Sequence, residues 1–321
     1  MLSNDVMKLI HKFISFLKQI LIWCNYMFLL PLSGTPQSLV NSLRNYCNLS
    51  LAEKLHKRFP DGEQYIRITS DMRNKIIIVV QSLYPEQDSK LVELYLALEA
   101  LEGLNLTEVE LVIPYMAYSR QDKRFLAGEP MSVKAVYMPL RLFNLRKILA
   151  LDLHSPKIPE VIGLAIQNIL PHTYMVKKVG IEVDFILAPD KGALHRARIL
   201  AENIGKPFDY LEKYRDRITG EINVSIRELD VKNLRIAIVD DIVSTGGTLA
   251  KAAQILYDLG ASKVYAVVTH ALISEKTIQT LSASGLDMLI TTNSILHPEA
   301  LPKWIQVTDV GELLCSELKS L

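Results

Sequence analysis

The stretch Leu234-Arg235-Ile236-Ala237-Ile238-Val239-Asp240-Asp241-Ile242-Val243-Ser244-Thr245-Gly246-Gly247-Thr248 reads as an apolar strand over 234–239, two acids at its end, and a short glycine-bearing loop. A helix then opens near Thr248 and runs to Leu259, and Gly260 leads into another apolar run, Lys263–Thr269. Short β-branched runs alternating with longer helix-period segments signal an α/β fold with parallel strands. Outward from this stretch the pattern continues. Further strands are expected at Lys75–Val80, Glu108–Ile113, Lys147–Leu151 and Phe185–Ala188, and helices at Ser89–Leu101, Val133–Phe143, Ala193–Ile204 and Ser274–Ser284. The run Ile76–Val80, a loop, a helix to Leu101, Gly103 and Val109–Pro114 repeats the unit built on Ile236–Val239 at nearly the same spacing. Two similar domains follow from this, with the glycine loop retained in the second and Gln81-Ser82-Leu83-Tyr84-Pro85 in its place in the first.

The chemistry of the quoted loop is that of an anion cradle. In open parallel sheets, ligands bind beyond the carboxyl ends of the strands. Gly246 and Gly247 let backbone amides approach an anion closely. With the Thr245 and Thr248 hydroxyls and a helix N-terminus, they favour a phosphate. Asp240 and Asp241 suit the vicinal hydroxyls of a ribose. The plainer alternative is an ordinary strand-turn-helix connection in which Asp and Thr are turn and cap residues. No Gly-x-x-x-x-Gly-Lys-Ser/Thr pattern occurs, so this is not a nucleotide P-loop.

At 321 residues, two domains are the default. An apolar share of 49% supplies ample core. A formal net charge of +1 gives no field for nucleic acid or an acidic partner. The three cysteines, Cys24, Cys47 and Cys315, are far apart and lack metal-ligand spacing, so no disulfide framework is expected and a reducing cytoplasm is the natural compartment.

Over residues 6–23, Lys8, His11, Lys12, Ser15, Lys18 and Gln19 share one helical face, and apolar residues fill the rest. The lysines argue against a membrane-spanning helix, and no small-residue cleavage site follows. Either this is an amphipathic helix for surface contact with a membrane or partner, or it is an extension ahead of a fold that begins near Met27. The expected organisation is an extension over 1–26, one domain over 27–170 and a second over 171–321.

The Asp240–Thr248 loop resembles the signature of phosphoribosyltransferases and ribose-phosphate diphosphokinases, and further segments resemble the diphosphokinases in order and spacing across about 27–321. The resemblance implies two phosphoribosyltransferase-type α/β domains, each a mainly parallel sheet flanked by helices. It assigns Asp240, Asp241, Ser244, Thr245, Gly246, Gly247 and Thr248 to ribose 5-phosphate. Arg58-Phe59-Pro60-Asp61-Gly62-Glu63 is similar to the segment that meets ATP from a neighbouring subunit, through Phe59, Asp61 and Glu63. By chemistry alone it is a turn with two acids. Arg120 and Gln121, in the basic loop after Pro114, correspond to ATP contacts, and arginine suits bidentate phosphate binding. His154 in Leu151-Asp152-Leu153-His154-Ser155 and Asp190 in Ala188-Pro189-Asp190-Lys191-Gly192-Ala193 correspond to the Mg²⁺–ATP site. His11, His172 and His195 earn no such role.

Lys213-Tyr214-Arg215 is the most diagnostic element. Diphosphoryl transfer spreads negative charge, and preorganised cations meet it. Lys213 and Arg215 alternate, so on an extended segment both point to one side. In isolation the stretch reads as an exposed charged hairpin; in the family's order it is the catalytic pair. The resemblance implies attack by the anomeric hydroxyl of ribose 5-phosphate on the β-phosphorus of Mg²⁺–ATP, in a homo-oligomer, dimer or hexamer, with no nucleic-acid partner. Two departures stand out: Ser244, where many bacterial members carry Asp, and Gly192-Ala193, where two glycines are common. Ser244 and the 120–129 loop look closer to the archaeal-type branch, so the resemblance leaves regulation by phosphate or ADP, typical of the bacterial type, open. The competing functions are a phosphoribosyltransferase that consumes the product and a non-catalytic relative.

Overall fold

The computed structural model describes residues 27–215, 222–225, 230–298 and 300–319, with the backbone alone for 212–215 and 222–225. The amphipathic reading of 6–23, and Cys24, lie outside the described residues.

The first half runs β1 (Met27–Pro31), α1 (Gln37–Cys47), β2 (Ser50–Leu51), β3 (Lys54–Arg58), β4 (Gln64–Ile68), β5 (Ile76–Val80), α2 (Gln87–Gly103), β6 (Val109–Ile113), α3 (Ser132–Tyr137), β7 (Leu145–Leu151), α4 (Ile158–Ile162) and β8 (Gln167–Ile169). The second runs α5 (His172–Val179), β9 (Phe185–Ala188), α6 (Leu194–Ile204), β10 (Phe208–Tyr210), β11 (Glu212–Arg215), β12 (Ile222–Ser225), β13 (Arg235–Val243), α7 (Gly247–Asp258), β14 (Lys263–Ala271), α8 (Glu275–Ala283), β15 (Met288–Thr292), β16 (Ile305–Thr308) and α9 (Gly311–Lys319).

Among these residues, two six-stranded sheets have matching orders, β2-β1-β5-β6-β7-β8 and β10-β9-β13-β14-β15-β16. Every pairing within them is parallel. Each half also carries an antiparallel hairpin, β3-β4 and β11-β12, just ahead of its central strand.

The central strands are apolar on both faces because both faces are covered. Ile77 and Val79 of β5 join one cluster, and Ile78 and Val80 join the other. On β13, Ile236 and Ile238 face one side, Ala237 and Val239 the opposite one. The last helix, α9, does not stay with the second sheet. Leu314, Cys315 and Leu318 complete the cluster of Leu39, Leu43, Ile78 and Val80 on the first.

That packing overturns the expectation for the cysteines. Cys47 at the end of α1 and Cys315 on α9 form a disulfide across 268 residues, with Cα atoms 5.5 Å apart. Residues remote in sequence reach bonding distance because two helices share one sheet face. Three further expectations shift. The strand expected to end at Val239 runs to Val243, since β14 extends alongside and pairs with Asp240 and Ile242. The helix expected over 133–143 breaks after Tyr137 into a 3₁₀ turn, Met138–Leu142, containing Pro139. The helix expected from Ala193 starts at Leu194, after a 3₁₀ turn over Lys191–Ala193. No helix among the described residues is long and apolar enough to cross a membrane.

Candidate active site

The carboxyl ends of β7, β9 and β13 converge on a cleft of about 240 Å³ lined by Arg120, His154, Asp190, Arg196, Asp240, Asp241 and the loop Ser244–Leu249. This loop turns into α7 through Gly246, whose φ of +81° is open to glycine but disfavoured for other residues. An added Cβ there would sit 3.0 Å from Leu281 Cγ. Thr277 Oγ1 of α8 donates to Ser244 O at 2.6 Å and ties the loop's start. Thr245, Gly247 and Thr248 are exposed, which suits a surface that must meet a ligand.

The two acids differ sharply. Asp241 is 4% exposed, and its Oδ2 accepts from His154 Nδ1 at 2.8 Å, with Arg196 Nη2 at 3.8 Å. Burial opposes its ionisation, yet the His154 hydrogen bond and the Arg196 charge win and hold it below the usual carboxylate range. Asp240 is half-buried; burial and the neighbouring Asp241 charge push its carboxyl up. One acid is fixed as an anion, and the other is poised as the more readily protonated partner. With Nδ1 engaged, His154 keeps Nε2 for a ligand. Asp190 caps the 3₁₀ turn by accepting from Gly192 N at 2.9 Å.

Arg120, His154, Asp190, Asp240, Asp241, Ser244, Thr245, Gly246, Gly247 and Thr248 are thus brought together. Gln121 is not: its Oε1 accepts from Ser132 Oγ at 2.5 Å and ties the loop to α3. Phe59, Asp61 and Glu63 sit at the tip of the β3-β4 hairpin and do not line the cleft. There Phe59 packs edge-on to Tyr65 at 6.0 Å, with Lys57 Nζ 4.8 Å from the Phe59 ring centroid. Lys213 and Arg215 lie on β11, whose register pairs them with Val224 and Ile222; their side chains lie outside the described residues.

The sequence reading missed Arg196 and gave Asp152 no role, although both are 2% exposed and bonded to each other at 2.7 Å. The one signal was an arginine on the core face of a helix next to the Asp190 segment. His172 and His270, also buried, are pushed down by burial, His270 to about 4, and so are neutral near pH 7.

Among the described residues, no group of three or more His, Cys, Asp and Glu side chains is close enough to hold a cation unaided. His154 and the Asp carboxylates in one cleft nevertheless fit an ion that takes the rest of its oxygens from water and substrate phosphates, as Mg²⁺ does.

Parallel sheets of this order, with a glycine-bearing loop lining a cleft at a strand end, define a phosphoribosyltransferase-type protein. The N-terminal domain of ribose phosphate pyrophosphokinase matches residues 28–142, and the phosphoribosyl transferase domain matches 159–287. A ribose-phosphate pyrophosphokinase from Sulfurisphaera tokodaii is 38% identical over 280 residues, 86% of this chain and 95% of that protein. The chain belongs to the ribose-phosphate pyrophosphokinase family, kinase-type transferases of nucleotide biosynthesis. A Pyrococcus furiosus relative of the same name is 43% identical over 246 residues, 75% of this chain and 86% of that one, in keeping with the archaeal-type branch. Phosphoribosylpyrophosphate synthetase from Mycobacterium smegmatis shares the fold, with a TM-score of 0.82 at 24% identity over 92% of this chain and 98% of that one.

Proposed function

We propose that the cleft transfers diphosphate from ATP to the anomeric hydroxyl of ribose 5-phosphate, giving 5-phosphoribosyl 1-diphosphate and AMP. The observation that carries this reading is the meeting of His154 and Arg120, from the first half, with the Asp240–Thr248 loop of the second. A protein that only consumed the product would need the loop, but not the basic and imidazole groups facing it.

In this reading the Ser244–Thr248 loop holds the 5-phosphate through amides and hydroxyls, while Asp240 orients the ribose hydroxyls. Arg120 pairs with the triphosphate. Mg²⁺, held by His154, Asp190 and phosphate oxygens, would offset phosphate charge. The anomeric oxygen forms its bond to the β-phosphorus, the bond from that phosphorus to the α,β-bridging oxygen breaks, and AMP leaves. Lys213 and Arg215 meet the charge that spreads over the transferred group. No covalent enzyme intermediate is needed; positioning and electrostatics supply the rate.

The exposed Phe59–Glu63 tip, away from its own cleft, suits an ATP contact to a neighbouring subunit of a homo-oligomer. The decisive experiment incubates the full chain with ATP, ribose 5-phosphate and Mg²⁺ and follows AMP. Equimolar AMP and 5-phosphoribosyl 1-diphosphate are expected. Absence of AMP, with orthophosphate or nothing released, removes the reading.

A further inference from the structure

Where the two halves meet lies a polar cluster that reaches the cleft through Arg196 and is otherwise buried behind it. Asp152, Arg196, Thr269 and His172 are each 2% exposed or less. Arg196 leaves α6 and crosses to the segment after β7. Its Nε donates to Asp152 Oδ1 at 2.7 Å, and its Nη2 donates to Leu153 O at 2.8 Å and to His154 O at 3.2 Å. Asp152 Oδ2 accepts from Thr269 Oγ1 of β14 at 2.5 Å. His172 Nε2 lies 3.5 Å from the same carboxylate and 3.1 Å from Asp240 O, to which it donates.

The cluster therefore touches the two halves of the cleft at their backbones. Two carbonyls flanking the His154 side chain are held by one guanidinium, and the carbonyl of Asp240 accepts from a histidine packed beside the Asp152 carboxylate. Asp152 adopts φ +48°, a left-handed turn that costs an ordinary residue energy and persists where surrounding bonds enforce it. A buried ion pair is weak evidence of stabilisation, because an apolar pair of equal volume often serves as well. What an apolar pair cannot do is fix two carbonyls and a carboxylate in one plane, which a guanidinium fork does.

We propose that Arg196 is a positioning residue. With Asp152 it clasps the second domain to the first and fixes the Leu153–His154 backbone, so that the His154 imidazole stays 2.8 Å from Asp241 and aimed into the cleft. The proposal rests on reading this cleft as the site of diphosphate transfer. A misplacement of the order of an ångström costs about 100-fold in turnover at such sites.

The test uses the full chain and two variants: Arg196→Lys, and the neutral pair Asp152→Asn with Arg196→Met. For each, thermal unfolding, kcat and KM for ribose 5-phosphate, and amide hydrogen exchange at 153–155 without substrates are measured. The pair removes the Asp152 and Arg196 charges together, and Asp241 keeps its hydrogen bond to His154, so the variant is expected to fold. Its kcat is expected to fall about 100-fold, with KM for ribose 5-phosphate nearly unchanged because the Ser244–Thr248 loop is untouched, and with faster exchange at 153–155. Wild-type kcat and wild-type exchange in a folded neutral pair overturn the proposal, as does a loss of kcat in a folded variant whose protection at 153–155 stays intact. Should the neutral pair fail to fold, Arg196→Lys carries the test: its charge is kept, its fork is lost, and an unchanged kcat overturns the clasp. If the unaltered enzyme releases no AMP, the reading of the cleft falls on its own, and the exchange data alone decide the clasp. Unchanged protection in both variants then overturns it.

Discussion

The loop after β5 and the loop after β13 occupy the same place in two sheets of the same order, and their polar groups go to opposite uses. In the first, Gln81 is fully buried. Its Nε2 donates to Lys90 O at 3.1 Å and Glu93 Oε2 at 3.2 Å, and its Oε1 accepts from Gly34 N at 2.9 Å. Ser82 Oγ donates to Ser294 O in the other half. A Cβ on Gly34 would fall 1.8 Å from Ser82 O, so the neighbouring turn is pressed against this loop. In the second, Thr245, Gly247 and Thr248 stay exposed along the cleft. Topology alone does not make a ligand site. A site needs donors left without protein partners, and the first loop has given its own to the core and the domain interface.

The hairpins extend the contrast. β3-β4 carries Phe59–Glu63 at its tip, and β11-β12 carries Lys213 and Arg215 at the same point in the element order. If the second half holds the chemistry, Lys213→Ala shows the largest effect. Turnover falls about 1000-fold, as when a transition-state donor is removed, while ribose 5-phosphate affinity, measured by calorimetry, stays nearly unchanged. Retained turnover would move the chemistry away from this hairpin and weaken the contrast.

Gly246→Ala is the intermediate case. The left-handed backbone costs a residue with a Cβ about 1–2 kcal/mol, and Leu281 must shift to admit the methyl. Ribose 5-phosphate affinity should fall about tenfold, the equivalent of about 1.4 kcal/mol, with a smaller change in kcat at saturation. Unchanged affinity would mean that the phosphate is bound elsewhere than this loop.

The contrast was half legible in the sequence. The glycines and paired acids announce the second loop because few other structures need them there. Both central strands announce themselves as apolar runs covered on two faces. The strand was nevertheless expected to stop at Val239, because aspartate is poor in strands and only the extension of β14 beside it keeps Asp240 to Val243 in register. β3 and β4 went unseen: Lys54, His56, Arg58 and Gln64 leave no apolar alternation to read, and the pair is stitched mainly to itself. The Arg196–Asp152 clasp and the Cys47–Cys315 bond join residues with no local pattern. Their partners are chosen by tertiary packing: α9 lies on the first sheet, and Arg196 reaches across to the first half from α6, which stays on the second.

The smallest effect on turnover tests the comparison from its other side. Gln81→Met keeps the volume and flexibility of the side chain but removes the amide's carbonyl acceptor and NH2 donor. Gly34 N then loses its acceptor in a buried place, while Glu93 keeps Ser33 N at 3.1 Å. Leaving one buried donor unpaired costs about 1–3 kcal/mol, so the thermal midpoint should fall by several degrees. Turnover at a temperature where the variant is folded should stay within about twofold, since a lost contact remote from the reacting atoms leaves transition-state stabilisation untouched. The opposite pattern, a full thermal midpoint with turnover down tenfold, would mean that the first loop takes part in binding ATP or in setting its approach. The two loops would then share one reaction, rather than divide into a structural copy and a working one.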